Sequence, residues 1–255
     1  MAFYFCNSAD IIFYLLSRFP LDLIRCTIHN LITFIPKFFS MTKKELFEKV
    51  IVWFEQNMPL AETELRYKSA YELLVAVILS AQCTDKRVNI ITPPFFKRFP
   101  DAGTLADSRV DEIFEYIKSC SYPNNKAKNL SGMAKTLMNY FGGIVPEDPT
   151  QLQKLPGVGR KTAHVIASVV YNKPVLAVDT HVFRVAARIG LTMNAKTPLE
   201  TEKQLVKYIP EELISKAHHW LILHGRYVCI ARKPKCGECG VRGVCKYYRE
   251  NKSVN

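Results

Sequence analysis

Four cysteines near the C-terminus constrain the chain more than any other feature. Cys229, Cys236, Cys239 and Cys245 lie within seventeen residues, in the pattern C-x6-C-x2-C-x5-C. This density is too high for chance packing in a core, so we predict that a metal ion or cluster holds the segment. Zinc ribbons usually contain two C-x-x-C pairs, whereas this segment contains one. The spacing therefore favours a [4Fe–4S] cluster bound by the four cysteines, with a four-cysteine zinc site as the alternative.

The other four cysteines are dispersed, which is not the pattern of a secreted disulfide framework. They indicate a reducing compartment, and we interpret Cys83 and Cys120 as small buried apolar residues. The formal net charge is +12. It favours a polyanionic partner, because Lys and Arg gain free energy by displacing counterions from phosphates. Surface lysines that serve only solubility are the alternative explanation.

Residues 1–40 differ in character from the rest of the chain. They are rich in Phe, Ile and Leu but are interrupted by charged residues. The longest uncharged run, residues 26–36, is far shorter than the ~20 residues that a membrane-spanning helix needs. No small-residue cleavage site follows, so a signal peptide is also a poor fit. We interpret residues 1–40 as an N-terminal extension outside the functional fold, such as a translation-start artefact, and favour this over a membrane-surface anchor.

From residue 41 onward the pattern predicts an all-α protein. Thr42 is a suitable N-cap for a first helix, in which Leu46, Val50, Trp53 and Phe54 recur at three- and four-residue spacing. Residues 71–80 are apolar on nearly every side, which predicts a buried central helix. Further helices are predicted at 110–119, 126–140, 162–171, 180–189, 198–208 and 210–223.

Proline and glycine are expected to separate these helices, for example at Pro93-Pro94, Pro123 and Pro149. The short apolar run 174–178 has no partner strand in the sequence, so we interpret it as a buried linker.

Two predicted helix starts each carry a reactive type of side chain. The first follows the turn L-P-G-V-G-R-K, in which Gly157 and Gly159 permit positive φ angles. Backbone N–H groups that converge at a helix N-terminus bind phosphate oxygens, so we predict a phosphate site at Gly157, Val158, Gly159 and Arg160. A plain helix–helix turn is the alternative.

Lys161 and Asp179 are the candidate reactive groups at these helix starts. For a lysine beside a DNA backbone, a solvated phosphate contact is a commoner role than covalent chemistry. Covalent chemistry requires the neutral amine, and Arg160, the positive helix end and partial burial would all lower the pKa of Lys161. Spacing alone makes Asp179 a helix N-cap, which uses one carboxylate oxygen and leaves the other free.

The remaining C-terminal features are basic side chains and histidines. Residues 226–252 carry eight basic side chains, which predicts a second phosphate contact around the cysteine loop. These are Arg226, Arg232, Lys233, Lys235, Arg242, Lys246, Arg249 and Lys252. We interpret His218, His219 and His224 as helix residues without a catalytic role.

Four motifs in this order resemble the endonuclease III family of the helix-hairpin-helix DNA glycosylase superfamily. They are L-P-G-V-G-R-K-T-A, A-V-D-T-H-V-F-R, H-H-W-L-I-L-H-G-R-Y and the cysteine pattern, and the resemblance covers residues 41–250. It implies two helical domains that flank a DNA-binding cleft. One is a six-helix bundle at 63–173 that contains the helix-hairpin-helix, and the other combines 41–62 with 174–255 and binds the [4Fe–4S] cluster.

The resemblance also implies an activity and site residues. The enzyme would remove oxidised pyrimidines from duplex DNA and then cut the abasic strand, with Lys161 as nucleophile and Asp179 as catalytic carboxylate. Gln82 would help to fill the gap left by the extruded base. Such an enzyme is expected to act as a monomer in the cytoplasm, associated with the nucleoid and with no membrane partner.

One segment departs from the family pattern. The family often has G-L-Y-N with a leucine wedge, whereas this chain has Ser121-Tyr122-Pro123-Asn124. We predict that Tyr122 takes the place of the wedge by stacking. Two alternative functions are a monofunctional adenine mismatch glycosylase and a non-catalytic DNA-binding protein with a structural zinc site.

Overall fold

A computed structural model describes residues 41–251 of the chain. These residues form helices joined by loops, with no β-strand among them, which confirms the predicted all-α class. None of the described helices has the length and apolar character needed to cross a membrane. The interpretation of residues 1–40 as an extension lies outside the described residues.

The helices of residues 41–251 follow one another closely along the chain. We number them α1 (Lys43–Asn57), α2 (Ala70–Ser80), α3 (Asp85–Arg98), α4 (Ala102–Ala106), α5 (Val110–Ile117), α6 (Pro123–Phe141), α7 (Pro149–Leu152), α8 (Arg160–Tyr171), α9 (Thr180–Ile189), α10 (Pro198–Val206), α11 (Ile214–Tyr227) and α12 (Lys246–Asn251). Short 3-10 turns at Glu211–Leu213 and Cys236–Glu238 complete the described structure.

Helix α2 lies at the centre of the main hydrophobic core, as its apolar composition predicts. The run from Leu73 to Leu79 is buried without interruption, and Ser69 caps the helix by accepting a hydrogen bond from the Glu72 N–H. The core cluster extends from Leu65 to Ala177 and includes residues of α3, α5, α6 and α8. This helix therefore organises the half of the protein that leads to the turn before α8.

The expectation that prolines separate the helices is wrong at Pro93 and Pro94 but holds at Pro123 and Pro149, which begin helices. Pro93 and Pro94 lie inside α3, where Val88, Ile91 and Phe95 form a buried face. Packing of that face maintains the helix although two N–H donors are missing. At α6 and α7 the proline occupies the first turn, where a missing donor costs nothing because those N–H groups have no partner within the helix.

The C-terminal half packs on the first helix. The Phe54 ring of α1 stacks on Trp220 of α11, with 5.7 Å between ring centroids. The Trp220 indole N–H donates to the Met58 carbonyl at 2.8 Å. Helix α11 itself continues to Tyr227, four residues beyond its predicted end. These contacts support the proposed domain that joins residues 41–62 to the C-terminal half.

Candidate active site

A buried linker delivers Asp179 to the start of α9. Residues 174–178 are not a strand, and Leu176, Ala177 and Val178 are buried, as the prediction of a buried linker requires. His164 Nδ1 lies 3.2 Å from the Leu176 carbonyl oxygen. His218 Nδ1 lies 2.8 Å from the Ala177 carbonyl oxygen. Two histidines, from α8 and α11, thus hold the carbonyl groups of Leu176 and Ala177, which lie just before Val178 and Asp179 in the chain.

Lys161 and Asp179 face each other across the two helix starts. The Asp179 side chain is only 12% exposed, and its Oδ1 accepts hydrogen bonds from the N–H groups of His181 and Val182, both at 2.8 Å. Its Oδ2 lies 3.9 Å from Lys161 Nζ. The predicted division of the carboxylate between a cap and a free oxygen is therefore present. Both side chains line a cavity together with His218 and His219.

Burial suppresses the charge on these histidines. Burial, and then the neighbouring His219, lower the pKa of His218 to about 3. Burial also lowers the pKa of His219 to about 4, with a further contribution from Arg226. Both rings are thus neutral at physiological pH, and His218 donates its Nδ1–H to the Ala177 carbonyl. The sequence interpretation assigned these residues no role, and the structure gives His218 a positioning contact.

The turn before α8 is only partly as predicted. Gly157 has φ +80°, and a Cβ there would approach the Asn129 Cβ to 2.9 Å. Gly159 is the N-cap of α8 with φ −88°, so it does not need the left-handed conformation, and the space around its Cβ position is open. Val158 is buried and its N–H donates to the Leu155 carbonyl at 3.0 Å, so neither its side chain nor its N–H faces a ligand, contrary to the prediction. No side chain in residues 41–251 caps this helix start.

Arg160 forms an ion pair within the protein. Its guanidinium forms a two-point contact with Glu202 of α10, with Nη2–Oε1 at 2.6 Å and Nε–Oε2 at 3.1 Å. The predicted phosphate contact would require this pair to open. Arg160 is therefore paired with a carboxylate of α10 in this structure.

Gln82 and Tyr122 belong to neighbouring loops. Gln82 has φ 53° and Tyr122 has φ 54°, so both adopt a left-handed conformation that is uncommon for residues other than glycine. The Ser121 hydroxyl donates to the Gln82 carbonyl and links the two loops. Tyr122 is 63% exposed at the N-terminus of α6. The structure thus brings together two residues that lie forty positions apart in sequence.

Sequence analysis missed an ion-pair group that borders the site. Arg226 contacts both Glu64 and Asp85, and the Tyr227 hydroxyl also contacts Glu64. Arg226, Glu64 and Asp85 line the Lys161–Asp179 cavity and also a larger cavity of about 840 Å³ that contains Gln82. No local pattern could reveal this group, because Arg226 lies more than 140 residues from both carboxylates in sequence.

The pairing of Arg226 also corrects part of the prediction for the basic loop. Arg226 is occupied by the two carboxylates and is not a free phosphate contact. Lys252 lies outside the described residues. Six of the eight basic side chains remain exposed around the cysteine loop: Arg232, Lys233, Lys235, Arg242, Lys246 and Arg249.

The four C-terminal cysteines line one cavity and all carry free thiols. Burial, and then the neighbouring thiols, raise the pKa of Cys239 to about 11, so this thiol keeps its proton unless a bound cation stabilises the thiolate. Within residues 41–251, no three Cys, His, Asp or Glu side chains converge as ligands of a single metal ion. The four thiols border one cavity, and as thiolates Cys229, Cys236, Cys239 and Cys245 would hold the predicted [4Fe–4S] cluster.

Arg188 of α9 supports this loop and was also missed by sequence analysis. Its guanidinium donates to the carbonyls of Ile230 at 2.8 Å and Ala231 at 2.7 Å. It also lies over the Tyr247 ring, 4.7 Å from its centroid, and 3.6 Å from the Cys229 sulfur. The cysteine loop is therefore attached to the helix that Asp179 caps.

Comparison with known proteins agrees with the family resemblance that the four sequence motifs indicate. Residues 75–211 match the HhH-GPD superfamily of base excision DNA repair proteins, and residues 229–245 match the iron-sulfur binding domain of endonuclease III. Endonuclease III of Rickettsia felis is 46% identical over 204 residues, which cover 80% of this chain and 95% of the relative. The chain belongs to the endonuclease III family. Endonuclease III of Escherichia coli is 41% identical over 199 residues, which cover 78% and 94% of the two chains.

A solved structure extends this relationship to the fold. The structure of a trapped covalent intermediate between endonuclease III and DNA superposes with a TM-score of 0.79 at 38% identity, and covers 83% of this chain and 100% of that one. The chain is accordingly a base excision repair DNA glycosylase with AP lyase activity and a [4Fe–4S] cluster. The zinc-protein and adenine mismatch glycosylase alternatives are not favoured.

Proposed function

We propose that this enzyme removes oxidised pyrimidines from duplex DNA, with Lys161 as the nucleophile and Asp179 as the catalytic carboxylate. The observation that supports both roles is the 3.9 Å approach of Lys161 Nζ to Asp179 Oδ2 at the wall of one cavity. Lys161 is 53% exposed, so it can reach a nucleotide, whereas Asp179 is held by its cap. A mobile amine beside a fixed anion suits attack on a sugar that develops positive charge.

The reaction begins when the damaged nucleotide leaves the base stack, at a cost of roughly a few kcal/mol. Lys161 Nζ forms a bond to the sugar C1′, and the bond between C1′ and the base breaks, with the base leaving as an anion that takes up a proton. Asp179 Oδ2 stabilises the cationic sugar and accepts a proton from the Lys161 amine. Opening of the sugar ring then gives a Schiff base between Lys161 and C1′.

The Schiff base supplies the lyase step. It acidifies the C2′ proton, and removal of that proton allows the bond between C3′ and its phosphate oxygen to break by β-elimination. Water then hydrolyses the imine and regenerates the Lys161 amine. In this scheme the chain's own residues supply the nucleophile, the charge stabilisation and the proton transfer, while the iron–sulfur cluster holds the basic loop in shape.

DNA contacts are assigned to three parts of the surface. The backbone N–H groups of Gly159 and Arg160 at the start of α8 would bind one phosphate, since the open space at Gly159 allows close approach. The six exposed basic residues around the cysteine loop would bind the strand on the other side. Gln82 and Tyr122 would fill the gap left by the base, because both are exposed and their loops are joined. Binding to DNA would place the protein on the nucleoid as a monomer.

Borohydride trapping tests the nucleophile. Borohydride reduces the Schiff base to a stable amine, so the native protein should form a covalent adduct with duplexes that contain thymine glycol or an abasic site. Lys161→Ala should form none, whereas Lys154→Ala, which removes an exposed cation from the same turn, should retain the adduct. Equal trapping by Lys161→Ala would contradict the assignment, and equal activity on undamaged duplexes would contradict the proposed lesion class.

A further inference from the structure

Cys83 and Cys120 face each other at the junction of the two loops that carry Gln82 and Tyr122. Their sulfur atoms are 3.8 Å apart, and both thiols are free. Cys83 is partly exposed and lines the large cavity, whereas Cys120 is buried at 5% exposure. Cys83 directly follows Gln82, and Cys120 is separated from Tyr122 by Ser121 alone. The interpretation of both cysteines as buried apolar residues therefore holds for Cys120 and is wrong for Cys83.

Several contacts hold the backbone around Cys83 and Cys120 in place. The left-handed residues Gln82 and Tyr122 lie on either side of the junction, and the Ser121 hydroxyl bridges it. Lys126 is buried below and donates from Nζ to the carbonyls of Leu79 and Ala81, both at 2.8 Å. A change in the distance between the two cysteines is therefore transmitted to the positions of Gln82 and Tyr122.

We propose that Cys83 and Cys120 are a redox modification site, at which exchange with a low-molecular-weight disulfide forms a reversible Cys83–Cys120 disulfide that weakens binding to lesion-containing DNA. The formation of this bond depends only on the thiols. Its effect on DNA binding rests on the proposed function, in which Gln82 and Tyr122 fill the gap in the duplex.

The exchange balances with a glutathione disulfide as oxidant. The Cys83 thiolate attacks one glutathione sulfur, which forms a mixed disulfide and releases one glutathione thiolate. Cys120 then loses its proton to solvent and attacks the Cys83 sulfur, which forms the protein disulfide and releases the second glutathione. Two protein thiols are oxidised and one glutathione disulfide is reduced to two glutathione molecules.

Exposure determines the order of these steps. Cys83 is open to the cavity and can meet the oxidant, whereas burial and the neighbouring Cys83 raise the pKa of Cys120 to about 11. When Cys83 is capped as a mixed disulfide, its contribution to that shift disappears. Lys126 and Arg87 both act to lower the pKa of Cys120. In the mixed disulfide, burial is the remaining cause that raises this pKa against them. Cys120 is therefore suited to resolve the mixed disulfide, at 3.8 Å from its target sulfur.

Bond formation changes the local geometry. A disulfide holds its sulfur atoms about 2.05 Å apart, so the two sulfur atoms must approach each other from the present 3.8 Å, and we expect the loops that carry them to shift with them. Side chains that enter a DNA helix need accurate placement, and a misplacement of about 1 Å near a reacting site can reduce the rate about 100-fold. We therefore expect at least a tenfold loss of affinity for a lesion duplex after oxidation.

Peptide mapping of the cluster-loaded protein tests bond formation. The protein is equilibrated in glutathione buffers of increasing oxidised fraction, alkylated and digested, while its visible absorption reports the integrity of the iron–sulfur cluster. The expected result is a linked peptide pair that contains Cys83 and Cys120 and disappears after reduction. Cys83→Ser and Cys120→Ser serve as controls that cannot form the bond. Failure to find the linked pair at any glutathione ratio overturns the proposal.

Fluorescence anisotropy with a lesion duplex tests the consequence. Oxidised wild-type protein should bind at least tenfold more weakly than reduced protein, and reductant should restore the affinity, whereas both serine variants should not respond. Unchanged affinity of the disulfide form overturns the coupling to DNA. An equal loss in the serine variants also overturns it, since another site would then be responsible. Failure of the proposed function is recognised separately, because the reduced protein would then show no preference for the lesion duplex.

Discussion

Asp179 Oδ2 lies 3.9 Å from Lys161 Nζ, while Oδ1 of the same carboxylate accepts the N–H groups of His181 and Val182. The cap fixes the direction of the carboxylate, so the free oxygen points to the amine without a large entropic cost at the time of reaction. In the proposed mechanism, helix capping and charge stabilisation are therefore carried by different atoms of one side chain, and different substitutions can separate them.

Asp179→Asn should lower the turnover of an abasic-site duplex about 100-fold, the scale for loss of one group that stabilises a transition-state charge. Asparagine caps helices about as well as aspartate, so the free energy of unfolding in urea should change by less than about 0.5 kcal/mol. Asp179→Ala should lose both functions and cost about 1 kcal/mol of stability. Full activity in Asp179→Asn would contradict the assigned role.

The two glycines before α8 should respond differently to substitution. Gly157→Ala places a Cβ at 2.9 Å from the Asn129 Cβ on a backbone with φ +80°, so we expect a loss of about 1–3 kcal/mol in the free energy of unfolding. Gly159→Ser introduces a good N-cap residue into open space and should leave stability nearly unchanged. Urea denaturation distinguishes the two, and equal destabilisation would show that Gly159 is also conformationally required.

Binding measurements on Gly159→Ser extend this comparison to the phosphate site. If the turn accepts a phosphate at close range, the serine side chain should weaken binding to an undamaged duplex, because it occupies the space above the N-terminus of α8. Lys154→Ala, at an exposed position in the same turn, provides the control for nonspecific loss of charge. An unchanged affinity in Gly159→Ser would indicate that the phosphate binds elsewhere.

Local sequence patterns predicted where the helices lie better than where they end. They also identified motif residues better than the side chains that these residues contact in the fold. The apolar run of α2 and the cap at Asp179 follow from short-range rules, and both were confirmed. The continuation of α3 through Pro93 and Pro94 could not be predicted locally, because packing of the opposite face overrides the missing hydrogen bonds.

Long-range contacts account for the rest of what the sequence did not reveal. Arg160 looked available for DNA, but its partner Glu202 lies forty-two residues away. Arg226 looked like one basic residue among eight, although folding places it between two carboxylates that are distant in sequence. Charge counts describe a segment, whereas the availability of a given charge depends on tertiary packing.

Arg226→Ala should destabilise the protein by about 2 kcal/mol, because Glu64 and Asp85 would be left close together without a cation. The loss should be smaller than the ~3–5 kcal/mol of a fully buried pair, since Arg226 is 29% exposed. Arg109 also pairs with a carboxylate, Asp111, but both side chains are largely exposed. Arg109→Ala should therefore show no measurable change in urea unfolding. Similar effects of the two substitutions would contradict a structural role for the Arg226 group.

His218 should make the stability of the fold depend on pH in the mildly acidic range. Burial, and then His219, lower its pKa to about 3, whereas an unfolded histidine titrates near ~6.5. Between these values the unfolded chain binds a proton that the folded chain does not, so stability is full above about pH 6.5 and falls as the pH decreases. His219, with its pKa lowered to about 4, acts in the same direction.

His218→Gln should reduce this pH dependence while it retains a donor for the Ala177 carbonyl. Each histidine contributes a slope of at most about 1.4 kcal/mol per pH unit, so the variant should lose about that much slope between pH 6 and pH 4 relative to wild type. The charged groups Asp179 and Lys161 near His218, and Arg226 near His219, are present in both the wild type and the variant. Their contributions to the pH dependence therefore largely cancel when the two slopes are compared. Urea denaturation at several pH values measures the slope. Identical slopes would show that His218 is not held neutral in the folded protein, and its bond to the linker before Asp179 would then need another explanation.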